Sequence, residues 1–298
     1  MHHIISIRDF EREQIDALLK KAQQIQSLGS YKRTLSGKLV ALLFFEPSTR
    51  TKMSFASALS RLGGDPITVD SVEGSSISKG ETLADTIRVV SSYVDAIVLR
   101  HPKEGAARLA SEFSSVPVIN AGDGAGQHPS QTLLDLYTIK ENMPIDDIDV
   151  GLLGDLRYGR TAHSLSYALS NYDVRIHTIA PKGLEIPQGL AKELKDRDTA
   201  IIEHNNIEEI IDELDVLYAT RIQRERFPDS ASYSKVAHSY RITPETLENV
   251  RPNLILLHPL PRAGEIDPAV DSLPYAKYFR QAENGIPIRM AMLEDVML

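Results

Sequence analysis

Leu39-Val40-Ala41-Leu42-Leu43-Phe44-Phe45, followed directly by Glu46-Pro47-Ser48-Thr49-Arg50-Thr51, decides the fold. The first seven residues are a short apolar run with β-branched and aromatic members, the signature of a buried strand. Pro47, Ser48 and Thr49 punctuate it. Met53, Phe55, Ala56, Leu59 and Leu62 then recur at helical spacing until Gly63-Gly64 ends the pattern. A strand that turns straight into a helix is the repeating unit of α/β proteins.

Working outward, Ile67–Val69, Ala96–Leu99 and Val116–Ile119 read as further strands. Thr82 to Val94 carries Leu83, Ile87, Val90 and Val94 on one stripe, which lays a helix on a sheet. A second series follows Pro144: Val150–Leu153, Val174–Ala180, Ala200–Ile202, Val216–Ala219 and Leu254–Leu257, with amphipathic segments between them. The alternation predicts two similar-sized α/β domains, each with a mainly parallel sheet flanked by helices, and an active site in the interdomain cleft. Residues 1–130 form the first expected domain and 131–284 the second. A connecting helix is predicted from Pro129 to Asn142, with Leu133, Leu136 and Ile139 at helical spacing.

Composition narrows the function classes. A chain of 298 residues that is 42% hydrophobic can bury two cores of ordinary domain size. It has no cysteine, which excludes disulfides, thiolate nucleophiles and cysteine zinc sites. The start, Met1-His2-His3-Ile4-Ile5-Ser6, lacks the apolar core of a leader, and Leu39 to Phe45 is too short to span a bilayer. A cytoplasmic protein without membrane attachment is expected, and His2-His3 reads as an incidental pair. The net charge of −8 argues against a nucleic-acid surface. Arginines instead sit singly after apolar runs, in Leu99-Arg100, Gly159-Arg160 and Thr220-Arg221, where each can meet one small anion.

At Ser48-Thr49-Arg50-Thr51 the helix start offers free backbone N–H groups, hydroxyls and a guanidinium, a phosphate cradle without a glycine requirement. The plainer reading is an ordinary helix cap. Arg50 counts against it, because a cation in the first turn opposes the helix dipole. Gly154-Asp155-Leu156-Arg157-Tyr158-Gly159 does not have the spacing of a dinucleotide loop, and a nicotinamide cofactor is not expected.

Phe45-Glu46-Pro47-Ser48-Thr49-Arg50-Thr51 resembles the carbamoyl-phosphate signature shared by the aspartate and ornithine carbamoyltransferases. Arg100-His101-Pro102, Gly126-Gln127-His128-Pro129-Ser130-Gln131, Gly154 to Arg160, Arg221-Ile222-Gln223 and His258-Pro259-Leu260-Pro261-Arg262 resemble successive motifs of that family, in order. The ornithine branch carries a cysteine where this chain has Pro259. Arg160, Arg221 and Gln223 suit an acceptor with two carboxylates. L-aspartate is therefore the expected acceptor, giving N-carbamoyl-L-aspartate and phosphate, the committed step of pyrimidine biosynthesis.

The resemblance implies that Ser48, Thr49, Arg50, Thr51 and Arg100 hold the phosphate of carbamoyl phosphate. It implies that His128, with Arg50 and Thr51, donates to the carbamoyl oxygen where charge develops. Gln131 would bond the carbamoyl amide, and Leu260 and Pro261 would offer backbone carbonyls. Arg160 and Arg221, assisted by Gln223, would grip the carboxylates of aspartate. Ser75 and Lys79, within the polar stretch Ser71 to Glu81, would reach into a neighbouring subunit's site, making a homotrimer with shared sites and Lys79 a catalytic and aspartate-binding residue. Ile286 to Met297 would form a helix packed back on the first domain. Neither cofactor nor metal is implied, and association with separate regulatory chains is left open. A carbamoyltransferase with another amino-acid acceptor, or a non-catalytic binding protein that keeps the phosphate pocket, are the competing readings. Both are separated by assay.

Overall fold

The computed structural model describes residues 2–28, 31–69, 80–222 and 240–298. It divides into two compact units, Met1–Leu134 with Asn284–Leu298, and Asp135–Glu283. No described helix is long and apolar enough to cross a membrane.

The first unit contains α1 (Arg12–Ser27), β1 (Leu39–Phe44), α2 (Thr49–Arg61), β2 (Asp65–Val69), α3 (Leu83–Ser91), β3 (Ala96–His101), α4 (Ala106–Phe113) and β4 (Val118–Asp123). The strands are all parallel in the order β2-β1-β3-β4. The central strands β1 and β3 are buried nearly throughout, as a parallel sheet covered on both faces requires. β2 is the edge, mostly exposed, and there Pro66 is tolerated because its missing N–H faces no partner strand. α3 begins with Thr82 Oγ1 accepting from the Asp85 N–H at 3.2 Å and stops at Ser91, so Val94 lies beyond the helix.

Two sequence expectations change here. β4 starts two residues later than Val116 and continues to Asp123, because buried Asn120 and Asp123 are satisfied by internal hydrogen bonds rather than by water. His3 is not incidental: its Nδ1 accepts from the Val118 N–H at 3.1 Å. Beside it the Ile4 N–H donates to the Val118 carbonyl at 2.9 Å and the Ile4 carbonyl accepts from the Asn120 N–H at 2.8 Å, so the amino-terminal segment covers the outer edge of β4.

α5 (Pro129–Asn142) carries the chain into the second unit. There β5 (Ile148–Leu153), α6 (Arg160–Leu169), β6 (Val174–Ile179), α7 (Gln188–Lys195), β7 (Ala200–His204), β8 (Val216–Ala219), β9 (Ile255–Leu257) and α8 (Tyr278–Glu283) follow. The sheet is parallel in the order β7-β6-β5-β8-β9. Its core gathers Leu153, Leu214, Leu217, Ile242, Leu256, Val270 and Tyr278.

The chain ends in α9 (Gly285–Met297), which belongs to the first unit and packs against α1 and α2. Ile288, Met290, Ala291, Met292 and Leu293 are all buried, so the helix is apolar almost all round. Its buried Glu294 is matched by Lys21 at 3.2 Å and by the Thr34 hydroxyl at 2.5 Å.

Candidate active site

In the first sheet β2 lies on one side of β1 while β3 and β4 lie on the other, so the strand order reverses between β1 and β3. Open parallel sheets bind ligands beyond the carboxyl ends of their strands at such a point. The turn after β1 places Ser48 at the N-cap of α2 with extended backbone, φ −159° and ψ 106°, and its hydroxyl makes no capping hydrogen bond. The ordinary capping role is thus not what the serine does. Thr49 and Arg50 follow in the first turn, both exposed, and Thr51 is buried. Arg50 makes no ion pair with any described residue, and partial burial alone holds its guanidinium below the usual pKa. Hydroxyls, helix N–H groups and a cation with no ion pair among the described residues, all at one turn, are the chemistry of an anion site.

Arg100 sits near the end of β3, paired in register with Phe44 of β1. It is buried, donating to Glu46 Oε1 at 2.8 Å and to the Ala121 carbonyl at 3.1 Å. In place of the surface salt bridge that an isolated arginine would suggest, a buried guanidinium is paired with a partly exposed carboxylate. Burial lowers the Arg100 pKa, the charge of Arg50 adds to that, and Glu46 works against it. The two guanidiniums repel each other across the turn, which an anion between them would relieve.

His128 occupies the position before α5, buried, with its carbonyl accepting the first helical N–H groups from Gln131 at 2.9 Å and Thr132 at 3.2 Å. The loop leading to it is held by a residue that pattern reading passed over. Asp123 Oδ1 accepts from Asn120 at 3.1 Å and from the Gln127 N–H at 2.8 Å, while Oδ2 accepts from the Gly105 N–H at 2.9 Å, tying the β3 and β4 loops together. Gly124 has φ +53°, and a Cβ there would meet the Pro102 carbonyl at 2.6 Å, so the two loops can approach only over a glycine.

The second sheet reverses its strand order between β5 and β8. Arg160 opens α6 after β5, and Arg221 follows β8 by one residue beyond Thr220. The two strands are direct neighbours, Leu153 opposite Ala219. The Thr220 N–H donates to the Leu153 carbonyl at 2.8 Å, extending the pairing to the base of Arg221. Gly154, at φ +123°, lets Tyr240 and Thr220 crowd against the start of the β5 loop where any Cβ would collide with both. On the next strand, β9 leads into His258 and then Leu260-Pro261, a cis peptide whose Leu260 has φ +54°. Gln223, Ser75 and Lys79 lie outside the described residues. A cavity of about 550 Å³ at the ends of β5, β6 and β7 is lined by Lys182, Asn205 and Tyr240 among others, and by none of the expected site residues.

The arrangement matches known proteins along its whole length. The carbamoyl-P binding domain of aspartate/ornithine carbamoyltransferases matches residues 2–141, and the Asp/Orn binding domain of the same proteins matches residues 146–296. The chain belongs to the aspartate/ornithine carbamoyltransferase family. Among its relatives, the aspartate carbamoyltransferase catalytic subunit of Methanoculleus marisnigri is 72% identical over 100% of both chains, and that of Methanosphaerula palustris is 66% identical over 100% of both. The catalytic subunit of M. jannaschii aspartate transcarbamoylase superposes with a TM-score of 0.93 at 51% identity, covering 99% of this chain and 98% of that one. The Trypanosoma cruzi aspartate transcarbamoylase in complex with carbamoyl phosphate and aspartate gives a TM-score of 0.94 at 39% identity, covering 99% and 97%.

Behind the carbamoyltransferase motif His258 to Arg262 stands a buried polar chain. Tyr218 donates to Asp135 Oδ2 at 3.0 Å, Gln281 donates to Asp135 Oδ1 at 2.6 Å, and Gln281 Oε1 accepts from the His258 N–H at 2.8 Å. His258 Nε2 then meets Glu265 Oε1 at 2.6 Å. Glu265, Gln281 and Asp135 had no signal in the local sequence, since nothing near them in the chain shows that their partners are remote. Arg262 is a structural member of its motif: it forms a fork on Asp271 and covers Tyr278.

Proposed function

We propose that this chain transfers the carbamoyl group of carbamoyl phosphate to the amino group of L-aspartate, giving N-carbamoyl-L-aspartate and phosphate, the committed step of pyrimidine biosynthesis. The observation that carries this reading is that Arg160, opening α6 in the connection after β5, and Arg221, two residues after β8, follow the two adjacent strands where the sheet order reverses. Two guanidiniums at one switch point suit two carboxylates, each taken as a planar fork, and do not suit the side-chain ammonium of ornithine.

In the reaction the neutral amine attacks the carbamoyl carbon and a C–N bond forms. The tetrahedral intermediate collapses, the C–O bond to phosphate breaks, and phosphate leaves with the electron pair and takes the amine proton. Ser48, Thr49, Arg50, Thr51 and Arg100 hold the phosphate. Arg50, Thr51 and His128 donate to the carbamoyl oxygen as it gains charge, and the chemistry needs little beyond positioning and such electrostatics. Gln131 and the carbonyls of Leu260 and Pro261 take the carbamoyl nitrogen. Gln223 assists at the acceptor. The enzyme works in the cytoplasm as a homotrimer in which Ser75 and Lys79 complete a neighbour's site, and separate regulatory chains are compatible with this assembly.

N-(phosphonacetyl)-L-aspartic acid, with which the T. cruzi enzyme has been crystallised, joins a phosphonate to aspartate in one molecule. Calorimetric titration is expected to give one tight site per chain, far tighter than phosphate or aspartate alone. Binding no tighter than either fragment would refute the reading. Mixing inactive Lys79→Ala chains with inactive Arg50→Ala chains tests the shared sites: recovered activity supports them, and none rules them out.

A further inference from the structure

Arg289 is one of the few charged residues in the interior of the first unit, 3% exposed on the second turn of α9. Its NH1 donates to the Ser54 hydroxyl at 3.0 Å, and its guanidinium carbon lies 5.1 Å from the centre of the Phe55 ring. Both partners are on α2, and Ser54 lies four residues after Arg50, on the same helix face one turn below it. The guanidinium reaches α2 by passing over Gly285. A Cβ at Gly285 would collide with Arg289 NH1 and come within 3.3 Å of the Ser54 hydroxyl. Gly285 does not have a positive φ, and glycine in the first turn of a helix otherwise only weakens it. Room for the guanidinium is the physical reason for it here.

We infer that Arg289 is a positioning residue for the transfer reaction: from the last helix it fixes the rotation and height of α2, and so the aim of the Ser48 to Thr51 donors. Hydrogen bond and ring contact together define the helix in two directions, along its face and across it. A loss of about 1 Å in the placement of transition-state donors costs about 100-fold in rate, so small shifts at Ser54 reach the chemistry. The acceptor side, built from other strands, is left as it was.

This rests on Ser48 to Thr51 holding the phosphate, and the test keeps the two apart. Gly285→Ala adds one methyl group against the guanidinium without changing charge. Arg289→Met removes the fork and keeps the length, and Arg289→Lys restores a cation. Steady-state kinetics would be measured per folded chain, with the folded fraction taken from circular dichroism. Gly285→Ala and Arg289→Met are expected to lower kcat at least about tenfold and to raise KM for carbamoyl phosphate, with KM for L-aspartate within about twofold of wild type. Arg289→Lys recovers part of the loss, and Arg289→Met adds little once Ser54→Ala is present. Wild-type kcat and KM in folded Gly285→Ala, or equal damage to both substrates, would overturn the inference. If instead Arg50→Met leaves KM for carbamoyl phosphate unchanged, the phosphate assignment itself has failed.

Discussion

The backbone N–H of Leu260 donates to His258 Nδ1 at 2.8 Å, which leaves the ring proton on Nε2, facing Glu265 Oε1 at 2.6 Å. The ring is thereby locked in one tautomer, and it holds a leucine at φ +54°, a conformation that costs about 1–3 kcal/mol and persists only where surroundings impose it. The backbone N–H of Ala263, two residues before Glu265, also donates to the same carboxylate at 2.8 Å. The Leu260 backbone is thus held by a side chain that is itself fixed by Glu265.

Burial is the main reason the His258 pKa is lowered, with Arg262 and Arg221 adding to it and Glu265 opposing it. A histidine buried neutral binds fewer protons folded than unfolded. Its stabilisation is therefore complete above the unfolded value of 6.5 and is lost as pH falls through the lower folded value. Glu265 is also lowered; burial works against this, and the bonds from His258 and the backbone outweigh it, so its contribution disappears in the same direction at more acid pH. Thermal melts should show wild type losing more stability than His258→Asn on going from about pH 8 to about pH 5. Equal losses would show that His258 does not titrate with folding, since His3 and His101, also lowered by burial, are common to both chains.

Replacing His128 by alanine should lower kcat about 100- to 1000-fold, the usual effect of removing one donor to a developing oxyanion. KM for carbamoyl phosphate should change far less, because the ground-state carbonyl carries little charge. Steady-state kinetics at saturating aspartate separates the two parameters.

Arg221→Lys and Arg160→Lys should each raise KM for L-aspartate about 10- to 100-fold, the value of a charge-assisted hydrogen bond made by a fork and not by an ammonium. Binding of phosphate, measured by calorimetry, should be unaltered in both. A matching loss of phosphate affinity would place these arginines on the donor side instead.

Asp149 is a stability element of the second unit. Hydrogen bonds from Arg175 at 2.7 and 2.9 Å hold its pKa down to about 2 from 3.8, helped by His177 against the effect of burial. A lowered carboxylate stabilises above its unfolded pKa and loses that contribution as pH falls through the folded one. The difference amounts to about 2 kcal/mol. Urea unfolding at about pH 7 should show Asp149→Asn destabilised by that order, and the gap should close at about pH 2.

The β1 strand, the turn to α2 and the α5 helix were legible because each announces itself within a dozen residues, by a continuous apolar run, a turn residue or a 3.6-residue stripe. α9 was legible as a helix, though not the fact that charged Arg289 and Glu294 are buried in it. β4 beyond Ile119 reads as loop, since Asn120, Gly122 and Asp123 become strand only when Ile5 and Gln127 take up their polar atoms. Distance in the chain sets the limit: the Gln281–Asp135 bond joins residues 146 apart, and no local pattern encodes such a partner. Arg100 and Arg221 were legible for the opposite reason, since Arg100 sits near the end of β3 and Arg221 two residues after β8.

The most direct test of the account is to supply purified chain with carbamoyl phosphate and either L-aspartate or L-ornithine, with and without a chelator, and to measure the carbamoylated product. N-carbamoyl-L-aspartate is expected with aspartate alone, undiminished by the chelator. Citrulline formation from ornithine, or no product from folded protein with aspartate, would contradict it.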